Sequence, residues 1–122
     1  MEMPEIKGFE KLTQKIRTGL KEPDLYPFAS GVSSIAFASR KSDAFIIKVN
    51  IKPIYLAIPT LNREWNSLYQ LQDTGLVPKP IKFYVRHRSI KMENLFNPKR
   101  QGGILTPASA VMERVNLVRL AQ

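Results

Sequence analysis

Apolar residues recur at steps of three and four over residues 5–21, where Ile6, Phe9, Leu12, Ile16 and Leu20 are separated by Lys7, Lys11, Lys15, Arg17 and Lys21. That spacing predicts an amphipathic helix with one apolar stripe and a basic outer face. Gly8 and Gly19 weaken it, and Glu22-Pro23-Asp24 ends it. Such a helix either lays its basic face on phosphates or a membrane surface, or caps the back of a sheet. Over residues 25–29 the pattern changes to a strand, and Pro27 favours a place at a sheet edge. A turn at Gly31 leads to a second strand through Ile35 and Phe37, and the short Ser42-Asp43 turn leads to a third over residues 44–49. Phe45-Ile46-Ile47 is apolar at consecutive positions, as in a strand covered on both faces. Lys48 follows directly. Its ammonium must reach water or meet a counter-charge, because an unpaired buried charge is costly.

Residues 50–60 contain Pro53 and Pro59 and read as a loop with a short apolar patch over 54–58. Helix signals resume at Thr60, with Leu61, Trp65, Leu68, Tyr69 and Leu71 along one face and Gly75 at the close. Glu64 falls at the margin of that stripe. It either favours the helix N-terminus through the dipole or turns toward the strand lysine. Val77-Pro78-Lys79-Pro80 forces an extended entry into a fourth strand over residues 81–85. A fifth is expected over 104–115, interrupted by Thr106-Pro107-Ala108. The fold class is therefore α+β: an antiparallel five-stranded sheet with one main packed helix, plus the N-terminal amphipathic helix, in a single domain over 1–122.

Composition narrows the chemistry. With 122 residues and 43% hydrophobic content, the chain is large enough for its own core. It has no cysteine, which excludes disulfides, thiolate-bound zinc and thiol catalysis. His87 is the only histidine, so a metal site is not expected. The N-terminus lacks the pattern of a secretory signal, and no apolar run approaches the ~20 residues that cross a bilayer. The expected location is the cytoplasm. A formal charge of +9 favours anionic partners. Lys82, Arg86, Arg88, Lys91, Lys99 and Arg100, interleaved with Phe83, Tyr84 and Phe96, form a candidate nucleic-acid surface. A β-hairpin with an exposed basic tip explains the same residues.

Taken in order, these parts resemble the small lobe of the protein-kinase-like superfamily, above all its RIO-type and aminoglycoside or choline phosphotransferase branches. Ser30-Gly31-Val32-Ser33-Ser34-Ile35-Ala36-Phe37 is similar to the RIO-type phosphate loop and differs from the triple-glycine loop of ordinary protein kinases. Phe45-Ile46-Ile47-Lys48 resembles the strand carrying the ATP-contacting lysine, with Ile46 in place of the usual alanine. Glu64 stands where the family's helix glutamate pairs with that lysine. Gly75-Leu76-Val77-Pro78-Lys79-Pro80 is similar to a link common in the phosphotransferases, and Met112-Glu113-Arg114-Val115 resembles the hinge at the adenine edge.

The resemblance covers roughly residues 25–116. It implies an ATP site formed by Ser30, Gly31, Ser33, Ser34, Lys48, Glu64, Met112, Glu113 and Val115. Catalysis would need an aspartate and metal ligands beyond the hinge, and no His-Arg-Asp or Asp-Phe-Gly motif occurs. No catalytic residue is therefore expected, and Mg²⁺ is expected only with a catalytic lobe supplied. The chain alone would be a nucleotide-binding half or a non-catalytic docking module that self-associates or meets a protein partner on the face a second lobe would cover. The alternative is a basic nucleic-acid-binding α+β protein.

Overall fold

Strand β1 (Leu25–Ser30) is the edge strand that Pro27 calls for. The computed structural model describes residues 3–95. In it β1 is followed by β2 (Ser34–Ser39), β3 (Phe45–Asn50), β4 (Pro80–Tyr84) and β5 (Ser89–Glu93). All neighbours pair antiparallel, in the order β1-β2-β3-β5-β4. The apolar β3 occupies the centre, where both faces are covered, so its sequence and its place agree.

Helix α1 (Glu10–Leu20) covers one face and α2 (Ile54–Leu71) the other. On the α1 side, Ile16 and Leu20 pack with Leu25, Ile35, Phe37, Phe45, Ile47 and Val49. On the α2 side, Ala57, Leu61 and Leu68 pack with Tyr26, Phe28, Ala36, Ala38, Ile46, Ile90 and Met92. These sets alternate along each strand, as a pleated sheet requires. Residues 3–9 precede α1 along the outer edge of β1, where the Ile6 N–H donates to the Pro27 carbonyl at 3.0 Å. There Glu5 pairs with Arg40, whose guanidinium lies over the Tyr26 ring. Hydrogen bonds from the Glu10 and Gly8 backbone amides hold the Glu10 carboxyl below its usual value. At its other end α1 stops at Lys21, which is left-handed with φ 56°, and the Lys21 N–H returns to Arg17 and Thr18 carbonyls.

Three sequence expectations shift. The N-terminal helix, expected over 5–21, occupies Glu10–Leu20 after an extended lead. The second helix starts at Ile54 rather than near Thr60, so residues 54–59 are helical and not loop. Pro53 is its N-cap, and Pro59 lies inside, removing one helical hydrogen bond near the exposed start. A 3-10 turn over Gln72–Thr74 then carries the chain to Gly75, whose φ of 74° suits glycine. The third shift concerns the sheet. Among the described residues its fifth strand is Ser89–Glu93, joined to β4 by a turn at residues 85–88. The strand expected over 104–115 lies outside the described residues.

Gly19 has a packing role beyond its weak helix propensity. A Cβ there would overlap the His87 ring, 2.8 Å from Nδ1. The absent side chain lets the β4–β5 turn close onto α1. Gly19→Ala should therefore lower thermal stability despite the roughly 1 kcal/mol that alanine offers a helix. In a His87→Ala background the same substitution should raise it. Paired melting curves check the reversal of sign; additive effects would show that the ring does not meet the helix.

Candidate functional site

On β3, Ile46 and Lys48 point to the same face, two residues apart. Lys48 stands between Ala36 of β2 and Ile90 of β5. Ala36 is the small one of these two neighbours and, like Ile90, is buried on the α2 side. On α2 the buried positions are Ala57, Leu61, Glu64 and Leu68, at helical steps of four, three and four. Glu64 thus lies in the middle of the inward stripe, not at its margin. Tyr69, expected on that stripe, is exposed, while Trp65 is half-buried and stacks near Phe83.

The two elements meet in one ion pair. Lys48 Nζ donates to both Glu64 carboxylate oxygens, at 2.9 and 2.8 Å. Each residue is only 1% exposed. A cation and an anion held this close and this dry satisfy each other's charge and geometry. Each also makes the other's burial tolerable, because removal of one partner leaves a charge that water cannot reach.

The β1–β2 turn lies near the end of β3. Ser30 and Gly31 are exposed, Ser33 is half-buried, and Ser34 is buried as the first residue of β2. Gly31 makes its turn without a left-handed backbone; among the described residues, the positive-φ glycines are Gly8 and Gly75. Its N–H closes the hairpin on the Ser34 carbonyl at 2.8 Å, so that donor is turned inward rather than toward an anion. The Ser33 carbonyl accepts from Ile51 N–H at 2.9 Å and ties the turn to the segment after β3. The structure therefore brings Lys48 and Glu64 into contact, with the serine turn joined to the strand that carries Lys48. Met112, Glu113 and Val115 lie outside the described residues.

Of the six candidate nucleic-acid residues, Lys99 and Arg100 also lie outside. Lys82 and Lys91 oppose each other across β4 and β5 on the α1 side. Lys91 pairs with Glu22 at 3.2 Å and rests over the Phe45 ring; Lys82 rests over Tyr84. Arg88 is left-handed and donates to the Lys52 carbonyl at 2.7 Å. Arg86 is exposed. Three of these four side chains hold the fold's own rim.

Sequence reasoning missed two features of this end. The first is the Arg88–Lys52 latch, for which the sequence carries no signal. The second is the exposure of Ile54, Tyr55 and Leu56, whose signal was three apolar residues beside a proline. Among the described residues no cluster of His, Asp and Glu is arranged to hold a metal ion, and no helix is long and apolar enough to cross a membrane. A surface cleft of about 160 Å³ lies on the α1 side, between residues 5–9, α1 and Pro27.

No family model matches the sequence, and no curated protein matches it. Among solved structures the chain is similar to an aminoglycoside phosphotransferase, in the ternary complex of streptomycin, ATP and APH(2")-IIa. The identity is 15% and the TM-score 0.44, over 72% of this chain and 29% of that one. The chain thus spans under a third of the length of that protein.

Lys48→Met and Glu64→Gln should each lower stability by about 3–5 kcal/mol. The double variant Lys48→Met/Glu64→Leu should recover most of the loss, because no buried charge remains. Urea unfolding of the four proteins checks this. Single-variant losses below about 1 kcal/mol, the range of exposed pairs, would contradict the buried geometry.

Proposed function

We propose that this chain is the small, nucleotide-holding lobe of a kinase-like phosphotransferase, working either as the ATP-binding half of a larger assembly or as a docking module derived from one. The observation that carries the reading is the Lys48–Glu64 pair, which joins the central strand to the packed helix at 2.8–2.9 Å. In protein kinases a strand lysine pairs with a helix glutamate so that the ammonium is held in place for the nucleotide phosphates. The order of parts along this chain supports the same assignment: serine turn, strand lysine, helix glutamate.

In this reading Lys48 contacts a phosphate oxygen as a positioned point charge, and Glu64 fixes where that charge stands. Ser30, Gly31, Ser33 and Ser34 form the turn over the phosphates. The Gly31 amide has to leave the Ser34 carbonyl to donate to a ligand, which lowers affinity relative to a pre-opened loop. Met112, Glu113 and Val115 supply the hinge toward the adenine. Mg²⁺ enters only when a second half brings carboxylate ligands, so ATP affinity of this chain is independent of the metal. When no nucleotide is bound, the face that a second lobe would cover serves a protein partner or a second copy.

The nucleic-acid reading is weaker, because Lys91 and Arg88 are engaged within the fold.

Calorimetric titration of ATP into the full chain, with and without Mg²⁺, tests the proposal. Micromolar binding is expected, unchanged by Mg²⁺ and lost in the Lys48→Met/Glu64→Leu variant while that variant keeps its melting transition. A folded wild-type chain that takes up no ATP would remove the nucleotide role.

A further inference from the structure

One end of the molecule exposes apolar side chains that the core does not use. Val32, at the tip of the β1–β2 turn, is 92% exposed, and Tyr55 in the first turn of α2 is 73% exposed. Ile51, Ile54 and Leu56 are each close to half exposed or more. The Ile51 N–H to Ser33 carbonyl bond joins the two segments, so these exposed side chains are gathered at one end of the molecule. Exposed apolar side chains gathered in this way mark an interaction surface.

The surroundings of the patch carry one sign of charge. Lys52 lies within it, and Arg88 is fastened to the Lys52 carbonyl at 2.7 Å. Arg63 follows Leu56 by seven residues, on the same exposed side of α2. From residue 44 to residue 72 the only carboxylate is Glu64, which is buried in its pair. The positive end of the α2 dipole adds to the same field, and no acidic residue in its first turn offsets it.

We propose that this end of the molecule docks on an anionic lipid surface. Val32, Ile54 and Tyr55 enter the headgroup layer, while Lys52 and Arg63 face the lipid phosphates. Tyrosine suits the boundary between water and acyl chains. Apolar insertion and cationic attraction act together here, as in other peripheral membrane contacts. The proposal shares the β1–β2 turn with the nucleotide reading but does not rest on it.

The test is co-sedimentation of the full chain with vesicles of phosphatidylcholine alone and with added phosphatidylserine. Binding is expected only to the anionic vesicles and should weaken with salt. Val32→Asp/Tyr55→Asp should reduce it about tenfold or more, since two apolar side chains are lost from the layer. Both positions are highly exposed, so the melting temperature should not change. Failure to bind anionic vesicles overturns the proposal. Equal binding by the variant also overturns it, because general positive charge then suffices. So does light scattering that shows a wild-type dimer turned to monomer by the substitutions, which would assign the patch to a second copy of the chain.

Discussion

An ammonium and a carboxylate removed from water must find each other, or the fold that buries them cannot form. Lys48 and Glu64 meet that condition across the interface between the central strand and the packed helix. Much else follows from it. Ala36, the small residue opposite Lys48 on β2, is buried beneath α2 with the rest of that core. Ala57 and Leu61 bring α2 close enough for Glu64 to reach, and Leu68 continues the same stripe beyond it. The pair also fixes the register of α2 against β3, because a slide by one residue would leave two buried charges apart. Apolar contacts alone would tolerate such a slide more readily.

The first three strands are legible in the sequence because their residues obey one rule each: Pro27 at an edge, Gly31 at a turn, Phe45-Ile46-Ile47 at the centre. Lys48 stood out because it interrupts an apolar run. Glu64 was harder to place, since Trp65 beside it looks like the natural inward residue. Only the stripe Ala57, Leu61, Glu64, Leu68 puts the carboxylate at the middle, and that stripe begins before Thr60. Two prolines hid its start. Pro53 caps the helix and Pro59 is tolerated within it, whereas together they read as a loop.

Strand β5 was obscured in a different way. Ser89, Lys91 and Glu93 alternate with Ile90 and Met92, which is the period of a half-buried strand. Arg86, His87 and Arg88 directly before it give the segment the look of a charged turn. Gly19 shows the limit of propensity rules. A glycine that weakens α1 in isolation is what allows His87 to pack against it. The Gly31 turn shows the same limit from the other side, since its amide closes the hairpin instead of pointing outward.

The proposed nucleotide contact and the proposed lipid contact both use the end of the sheet where β3 leaves for α2, yet they ask different things of it. One needs the buried pair to stay ordered while the turn opens; the other uses only what the turn and the helix start already expose. The pair is the more fundamental, and side-chain nitrogen NMR of lysine-labelled protein tests it most directly. A buried ammonium bonded to a carboxylate should give a signal whose protons exchange slowly at neutral pH, and Lys48→Met should remove it. A spectrum in which every lysine ammonium exchanges rapidly would contradict the account at its centre.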